Sequence, residues 1–420
     1  MLNVNLIREN PEAIKAGIAK KNIDPKLVDK FLRLDVDWRS KTEALGQLNG
    51  EQNTLSKELA KKQSEDLLSK AQLLKKRISD ITVEENKLSV KRDEALEKLP
   101  NIPFEDVPVG KDASQNVVLR EVGEKPIFDF KPKDHLALGE ALGIIDVKRA
   151  AEVAGARFNY LLGDGAMLEF ALVQFAVKTI AAHGFTPVLP PMFIKPQVLH
   201  GMGRLASDQK EERYYLPKDE QYLIGSAEHT LGPLHMDEVL SNESLPKRYV
   251  GFSSCFRREA GSYGKDMKGI LRVHQFDKVE MFIFSLPEKS DEEHQLLLSI
   301  QEELVKKLEL PYRVVQNCTG DMGWVDAKQF DVETWLPGQD AYRETHSCSN
   351  TTDFQSSGIN AKYKTAGGKK EYLHLLNATG IAIGRMIIAI LENNQTKEGT
   401  VKIPKVLQEF MGKEEIGARS

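Results

Sequence analysis

Two consecutive series of apolar residues, spaced alternately by three and four, dominate the first quarter of the chain. The first runs from Phe31 through Leu34, Trp38, Leu45, Leu48, Leu55 and Leu59, with Lys41 and Gln52 as polar interruptions. The second runs through Leu67, Ala71, Leu74, Ile78, Ile81, Leu88, Ala95 and Leu99, interrupted by Glu85 and Arg92. Such spacing is the seam of a coiled coil. A helix with a single apolar stripe must bury it, and two in succession satisfy each other. The break falls near residues 62–66, where Ser64 is placed to cap the second helix and Glu65 and Asp66 suit its positive end. The spacing therefore predicts an antiparallel hairpin over about residues 27–99, each arm reaching roughly 50 Å at about 1.5 Å per residue. Most of the surface of so long a coil must face solvent or a partner.

Charge at the far end of this hairpin is uneven. Between residues 57 and 77 stand Lys57, Lys61, Lys62, Lys70, Lys75, Lys76 and Arg77, against Glu58, Glu65 and Asp66. Either a solvated helix face or a surface for phosphates fits that excess. The whole chain carries a net charge of -4, which argues against nonspecific coating of nucleic acid while leaving room for a local basic surface.

Pro100, Pro103 and Pro108, followed by Gly110, close the hairpin and mark a linker. The expected division is an N-terminal arm and linker over 1–110 and a second domain over 111–420. Beyond the linker, a helical pattern over 165–182 alternates with β-rich runs over 248–256, 271–284 and 312–317. The strands flanking 256–268 suggest a hairpin with a long basic connection, and hence an antiparallel sheet with helices packed on it. The fold class is α+β.

The apolar fraction of 41% suffices for a large core. Cys255, Cys318 and Cys348 are too few and too far apart for a disulfide framework or a paired-cysteine zinc site, so they are read as reduced, packed residues and no zinc is expected. The N-terminus lacks a signal-peptide pattern and no run approaches 18 apolar residues, so a cytoplasmic protein with no membrane partner is expected.

No phosphate-binding loop of the Gly-x-x-x-x-Gly-Lys kind and no dinucleotide fingerprint is present. Phosphates would have to be held by arginines presented from strands, whose guanidinium forks match phosphate oxygens. Phe256-Arg257-Arg258-Glu259-Ala260-Gly261, with Arg272-Val273-His274-Gln275-Phe276 on the return, is such a presentation. The plain alternative is a surface ion-pair group of these arginines with Glu259 and Asp266.

This segment closely resembles motif 2 of the class II aminoacyl-tRNA synthetases. The stretch from His183 to Pro191 resembles motif 1, and that from Leu376 to Arg385 resembles motif 3. The resemblance implies an ATP site in which Arg257 grips the α-phosphate and Arg272 reaches the outer phosphates. Glu259 would meet the adenine end and Phe276 would stack on the ring, with Arg258 and Val273 alongside. Arg385 would meet the γ-phosphate, Gly384 would let its helix start close to the sheet, and Pro191 would pack in a homodimer interface.

Other segments are similar to the seryl-tRNA synthetase family over nearly the whole chain. Gly225-Ser226-Ala227-Glu228 resembles its serine-binding loop, with Ser226 where threonine is usual. By this resemblance Ser226, Ala227, Glu228, Arg257, Glu280, Asn377 and Thr379 form the serine pocket, Thr379 lying near the substrate hydroxyl. Ammonium and hydroxyl each need a matched polar partner, and requiring the second bond discriminates against alanine. In Glu344-Thr345-His346-Ser347, Thr345 and His346 stand where Val-Ser is usual; the run is implied to bind ATP, with Glu344 and Ser347 holding Mg²⁺. His346 is read as a hydrogen-bonding residue, not a base. The resemblance also places arginines at 357 and 358, where this chain has Ser357 and Gly358, so weaker positive support is expected either at the acidic site or in contacts to tRNA.

The implied activity is formation of seryl-adenylate from serine and ATP, followed by transfer to the 3′ end of tRNA(Ser), with charging of tRNA(Sec) left open. Catalysis would rest on Arg257, Arg385 and Glu344 through positioning and charge cancellation, with the basic residues from Lys57 to Arg77 holding tRNA. Threonine, proline, histidine and glycine synthetases are expected to carry a further domain after motif 3, whereas 35 residues follow Arg385. A re-purposed relative that charges a carrier protein, or only binds, is the rival class; pyrophosphate exchange without tRNA charging would mark the first.

Overall fold

The computed structural model describes residues 1–62, 64–205, 210–260 and 268–417. Gly261 and Asp266, named above, lie outside the described residues. Backbone contacts divide the chain into two compact units, Leu2–Pro100 and Met1 with Asn101–Ser420.

The first unit consists of two short helices, Val4–Glu9 and Pro11–Lys20, followed by two long arms, Lys26–Lys61 and Glu65–Leu96. The arms pair along the seam predicted from the spacing. Phe31 and Leu48 are buried on the first arm, and Leu34, Trp38, Leu45, Leu55 and Leu59 are half-buried. The polar interruptions lie on the same stripe and find partners there. Trp38 Nε1 donates to Glu85 at 2.6 Å, Lys41 pairs with Glu84 at 2.6 Å, and the Arg92 guanidinium lies 4.3 Å from the Trp38 ring centre. Polar pairs on an otherwise apolar seam favour one register over its neighbours, because a slip would separate them. Ser64 stands at the N-cap of the second arm in an extended conformation, but its side chain makes no capping bond. The expected cap is therefore corrected, and Glu65 and Asp66 in the first turn supply the favourable charge.

At the arms' base Asp35 is almost fully buried and gathers three arginines. Arg8 donates to its two oxygens at 2.9 and 2.8 Å, Arg92 Nε at 3.1 Å, and Arg39 Nε lies 3.1 Å away. Burial pushes the carboxyl up, but the bonds and charges of Arg8 and Arg92 outweigh it and hold Asp35 below its ordinary value.

The second unit is built on an eight-stranded sheet. In chain order the strands are β1 (Val117–Val122), β2 (Thr186–Val188), β3 (Lys247–Phe256), β4 (Gln275–Ser285), β5 (Tyr312–Gln316), β6 (Lys328–Leu336), β7 (Ala341–Asn350) and β8 (His374–Ala382). They lie side by side as β1-β5-β6-β7-β8-β4-β3-β2. Every neighbouring pair is antiparallel except β2 with β3. The run predicted as a strand from 271 begins only at Gln275; just before it, His274 N bonds Arg157 O and His274 O accepts from Arg257 N, each at 3.0 Å.

Alternation along β4 gives the sheet two different faces. Val279, Met281 and Ile283 join the main core with residues of the helices Asp164–Ala182 and Ser290–Lys307, such as Leu172, Phe175, Leu297 and Leu304. Phe282 and Phe284, on the other face, join a smaller core with Met202, Ala227 and Leu231. Lys278 and Glu280 share that second face, because successive strand residues point to opposite sides.

Two sequence expectations change here. Residues 101–110 belong to the second unit: Asn101 donates its side-chain amide to the carbonyls of Val325 and Thr351 at 2.9 and 2.8 Å, and Phe104 N bonds Ala327 O at 2.9 Å. The helix Asp164–Ala182, moreover, is long and apolar enough to cross a membrane by length and composition. It serves as a core helix, with Leu168, Leu172, Phe175 and Ile180 buried.

Replacing Asp35 by Asn should lower the stability of the helical arms by about 3 kcal/mol, the scale for an uncompensated buried charge, seen as an earlier denaturant midpoint in far-ultraviolet circular dichroism of the full chain. Because the folded-state value of Asp35 is depressed, its contribution is fully present above the ordinary carboxylate value near 4 and is lost as pH falls through the lower folded value. That component of the acid sensitivity should be absent from the variant.

Candidate active site

The open face of β3, β4, β7 and β8 supports a cleft of about 200 Å³. It brings together Arg257, Glu259, Arg272, Val273 and Phe276 with Glu344, Thr345, Ser347, Thr379 and Arg385, and adds Lys278. Arg257 follows the last residue of β3, and Phe276 is the second of β4, so an antiparallel register of Cys255 with Phe276 sets them side by side. Arg257 Nε donates to Gly225 O at 3.1 Å, and its guanidinium lies 5.3 Å from the Phe276 ring centre, a cation–π distance. Glu259 has a positive φ of 51°, uncommon for a residue with a side chain. Its carbonyl accepts from Arg157 Nη1 at 2.8 Å, and its carboxylate lies 3.5 Å from Arg272.

The helix Ile383–Asn393 begins directly where β8 ends. A Cβ on Gly384 would approach the Ile270 carbonyl oxygen to 3.3 Å, so glycine eases that close start. Arg385 Nη1 donates to Glu344 O at 2.9 Å and stands 3.3 Å from Glu344 Oε1. The arginine's charge holds the Glu344 carboxyl below its ordinary value, against the effect of burial.

The inner end is acidic and enclosed. Glu228 and Glu280 are 4% and 2% exposed. Glu280 faces Thr379 across the β4–β8 register and lies 2.7 Å from Lys278 Nζ. Burial pushes the Glu280 carboxyl up, Lys278 opposes this, and nearby Glu228 adds to it. Ser347 Oγ is 3.4 Å from Thr379 Oγ1. The buried amide nitrogen of Asn377 has no hydrogen-bond partner among the described residues, and a donor buried without a partner costs stability unless a ligand supplies one.

Several expected site residues are placed differently. Arg258 does not line the cleft: its Nε donates to Arg213 O at 3.1 Å and its guanidinium lies 4.8 Å from the Tyr214 ring centre. Arg257 and Arg258 are adjacent in an extended segment and so diverge. His346 does not line the cleft either. Its ring is buried and bonded to Thr345 Oγ1 at 2.9 Å, and burial pushes it down to about 4, so it is uncharged at neutral pH. A bulge in β7 opposite Val332 and Glu333 causes this. It turns the Thr345 hydroxyl onto Val332 O at 3.1 Å, leaving the main chain of that residue to the cleft. Ser226 Oγ accepts from Glu228 N at 3.2 Å, and the Ala227 methyl packs in the smaller core. Both therefore build the turn that carries Glu228.

The sequence reading missed Arg204, Arg213, Lys278 and the role of Gln355. Lys278 could have been found from strand alternation, lying midway between Phe276 and Glu280. Nothing periodic marks Arg204 or Arg213. Arg204 forks onto Glu228 Oε1 at 3.0 and 2.7 Å, which corrects the expectation of weaker positive support at the acidic site. Ser357 bonds the main chain of Met1. Gly358 meets the main chain of Gly201 so closely that any Cβ would overlap its carbonyl oxygen, so this packing has no room for an arginine at 358.

On the arms, Lys57, Lys61, Lys62, Lys70, Lys75, Lys76 and Arg77 are all exposed. Lys70 pairs with Asp66 at 3.0 Å, and an exposed pair of that kind is weak. Pro191 is exposed, next to Leu189, which is 83% exposed, and near Met192 and Phe193, also exposed.

An antiparallel sheet with strand-borne arginines facing paired carboxylates defines a class II aminoacyl-tRNA synthetase, and residues 212–394 match the class II core domain of the glycine, histidine, proline, serine and threonine enzymes. A solved prolyl-tRNA synthetase from Giardia lamblia, 15% identical over 64% of this chain with a TM-score of 0.57, shares the fold. Residues 1–103 match the seryl-tRNA synthetase N-terminal domain. A serine–tRNA ligase of Pyrococcus horikoshii is 43% identical over 99% of this chain and 97% of its own length; one of Thermotoga maritima is 42% identical over 99% and 100%. The crystal structure of the Pyrococcus horikoshii enzyme complexed with ATP covers 100% of both chains with a TM-score of 0.90 and 42% identity. That of the Naegleria fowleri cytoplasmic enzyme with AMP gives 0.86 and 33%, covering 100% of this chain and 99% of its own. The chain belongs to the seryl-tRNA synthetase family, and its activity is that of a serine–tRNA ligase.

Placing arginine at 358 should destabilise the protein, despite matching the family pattern. Overpacking of this kind costs about 1–3 kcal/mol, so Gly358→Arg should unfold at a lower urea concentration than the parent, while Ser357→Ala should shift the midpoint by less than about 1 kcal/mol.

Proposed function

We propose that the cleft binds ATP with Arg257 on the α-phosphate, Arg272 and Arg385 on the outer phosphates, and Phe276 and Glu259 at the adenine. The inner end takes serine, with Glu228 and Glu280 receiving the ammonium and Asn377 and Thr379 completing the pocket. The observation that carries this reading is the convergence of Arg257, Arg272 and Arg385 on one cleft, with two buried carboxylates behind its lining: Glu280, paired with Lys278 and opposite Thr379, and Glu228, whose charge Lys278 also feels. Anionic phosphates suit the first set and a cation with a hydroxyl suits the second.

In the first step a serine carboxylate oxygen bonds to the α-phosphorus and the bond to the bridging oxygen breaks, releasing pyrophosphate. In the second a ribose hydroxyl of the tRNA 3′ end attacks the seryl carbonyl and AMP leaves. Arg257 holds the α-phosphate and carboxylate together and cancels charge as it develops. Glu344 and Ser347 offer a carboxylate and a hydroxyl facing the phosphate side of the cleft, a donor set that fits Mg²⁺, a cation otherwise served by phosphates and water. When bound, that ion neutralises phosphate charge.

The exposed bases from Lys57 to Arg77 would contact tRNA(Ser) through its backbone, and tRNA(Sec) is proposed as a second acceptor read by the same arm. The exposed Leu189, Pro191, Met192 and Phe193, with Phe170 60% exposed on the core helix, support a homodimer that covers this apolar surface. A cytoplasmic location is proposed with it, as a compartment where tRNA is charged.

Arg257→Lys and Arg385→Lys should each lower serine-dependent ATP–pyrophosphate exchange by about 10²–10³-fold, as loss of preorganised donors does. Removing residues 27–99 should leave exchange within severalfold of the parent while abolishing tRNA charging. Equal loss of both activities in that deletion would sink the division of roles.

A further inference from the structure

Glu228 differs from Glu280 in that its partners converge on one oxygen. Arg204 Nε and Nη2 both donate to Glu228 Oε1, at 3.0 and 2.7 Å, and Gln355 Nε2 donates to the same atom at 2.7 Å. Oε2 takes none of these bonds. Gln355 is itself fixed, its nitrogen also reaching Met202 O at 3.2 Å and its oxygen accepting from Thr351 Oγ1 at 3.2 Å.

Backbone packing delivers Arg204 to this point. The short helix Pro196–Gly201 ends against Gly358, where a Cβ on Gly201 would lie 2.5 Å from the Gly358 carbonyl oxygen. Gly203 follows at φ 70°, and a Cβ there would meet Phe354 at 2.8 Å and Val325 at 2.9 Å. Contacts at Gly201 and Gly203 thus hold the segment just before Arg204 against the short helix Phe354–Gly358, which carries Gln355. Packing therefore sets Arg204 and Gln355 side by side on Glu228.

We propose that Arg204 is a positioning residue for serine recognition: with Gln355 it saturates one oxygen of Glu228 and so presents the other to the substrate ammonium. This rests on the reading of Glu228 as a serine-binding group. The surroundings favour the arrangement. Burial pushes the Glu228 carboxyl up, and Arg204, Gln355 and Lys278 together bring it below its ordinary value. Arg213 faces Glu228 from the 210–213 turn, Glu280 faces it from β4, and Asp326 lies near Arg204. His229, held far below its ordinary value by burial and the surrounding cations, stays neutral and adds no charge.

The test is steady-state pyrophosphate exchange by Arg204→Met, Arg204→Lys and Glu228→Gln in the full chain, with serine and ATP varied separately. In Arg204→Met the KM for serine should rise about tenfold or more, the scale of a lost charge-assisted bond, while that for ATP stays within about twofold. Without Arg204 the carboxyl loses its largest stabilising charge and protonates more readily, so as pH falls from about 8 to about 6 the variant's serine KM should climb more steeply than the parent's. Arg204→Lys should recover part of the loss. Equal shifts in both KM values with the parent's pH profile would show a merely structural role and overturn the proposal. An unchanged serine KM in Glu228→Gln would overturn the underlying reading of Glu228 instead.

Discussion

The antiparallel pairing of β3 with β4 is the constraint on which the second unit depends. Its register fixes Arg257 beside Phe276 at one end and Glu280 near the middle, and the two-residue period of a strand sends Val279, Met281 and Ile283 the other way into the helix-covered core. A slip of one residue would exchange those sets, burying Lys278 and Glu280 among aliphatic side chains. Stability and site geometry are thus set by the same hydrogen bonds, and the apolar face enforces the position of the polar one.

Enclosing two carboxylates at the inner end demands compensation, since an unpaired buried charge neutralises or destabilises. The structure meets this unevenly. Glu280 has Lys278 on its own strand, whereas Glu228 depends on Arg204 and Gln355, brought from distant parts of the chain. Asn377 keeps an unpartnered nitrogen. A pocket whose charges are balanced internally but whose last donors are open is organised before the ligand arrives, which lowers the cost of ordering on binding. The arms follow similar logic at lower density: Trp38, Glu85 and Arg92 make a polar lock in an apolar seam.

The coiled arms, the strand pair and most of the ATP-side residues were legible because each has a local signature: a heptad spacing, a β-rich run, an arginine beside a strand end. Arg258 and His346 were assigned to the site because sequence proximity does not say which way a side chain points. A bulge in β7 decided the second, and the divergence of neighbours in an extended segment decided the first. Ser64 shows the same limit at a helix start, where residue type suggested a cap that the side chain does not make.

Ser357 and Gly358 mark the clearest boundary between the two kinds of knowledge. From the sequence they are two missing positive charges. In the folded protein position 358 touches the main chain of Gly201, and the charge beside Glu228 comes from Arg204. What the sequence by itself determined was the fold class, the family and most of the residues that line the cleft, since periodicity and short motifs act over neighbouring residues. Only the tertiary structure decided how Glu228 is held, because the residues that hold it are joined by packing between segments some 150 positions apart, and no local pattern encodes a contact of that range.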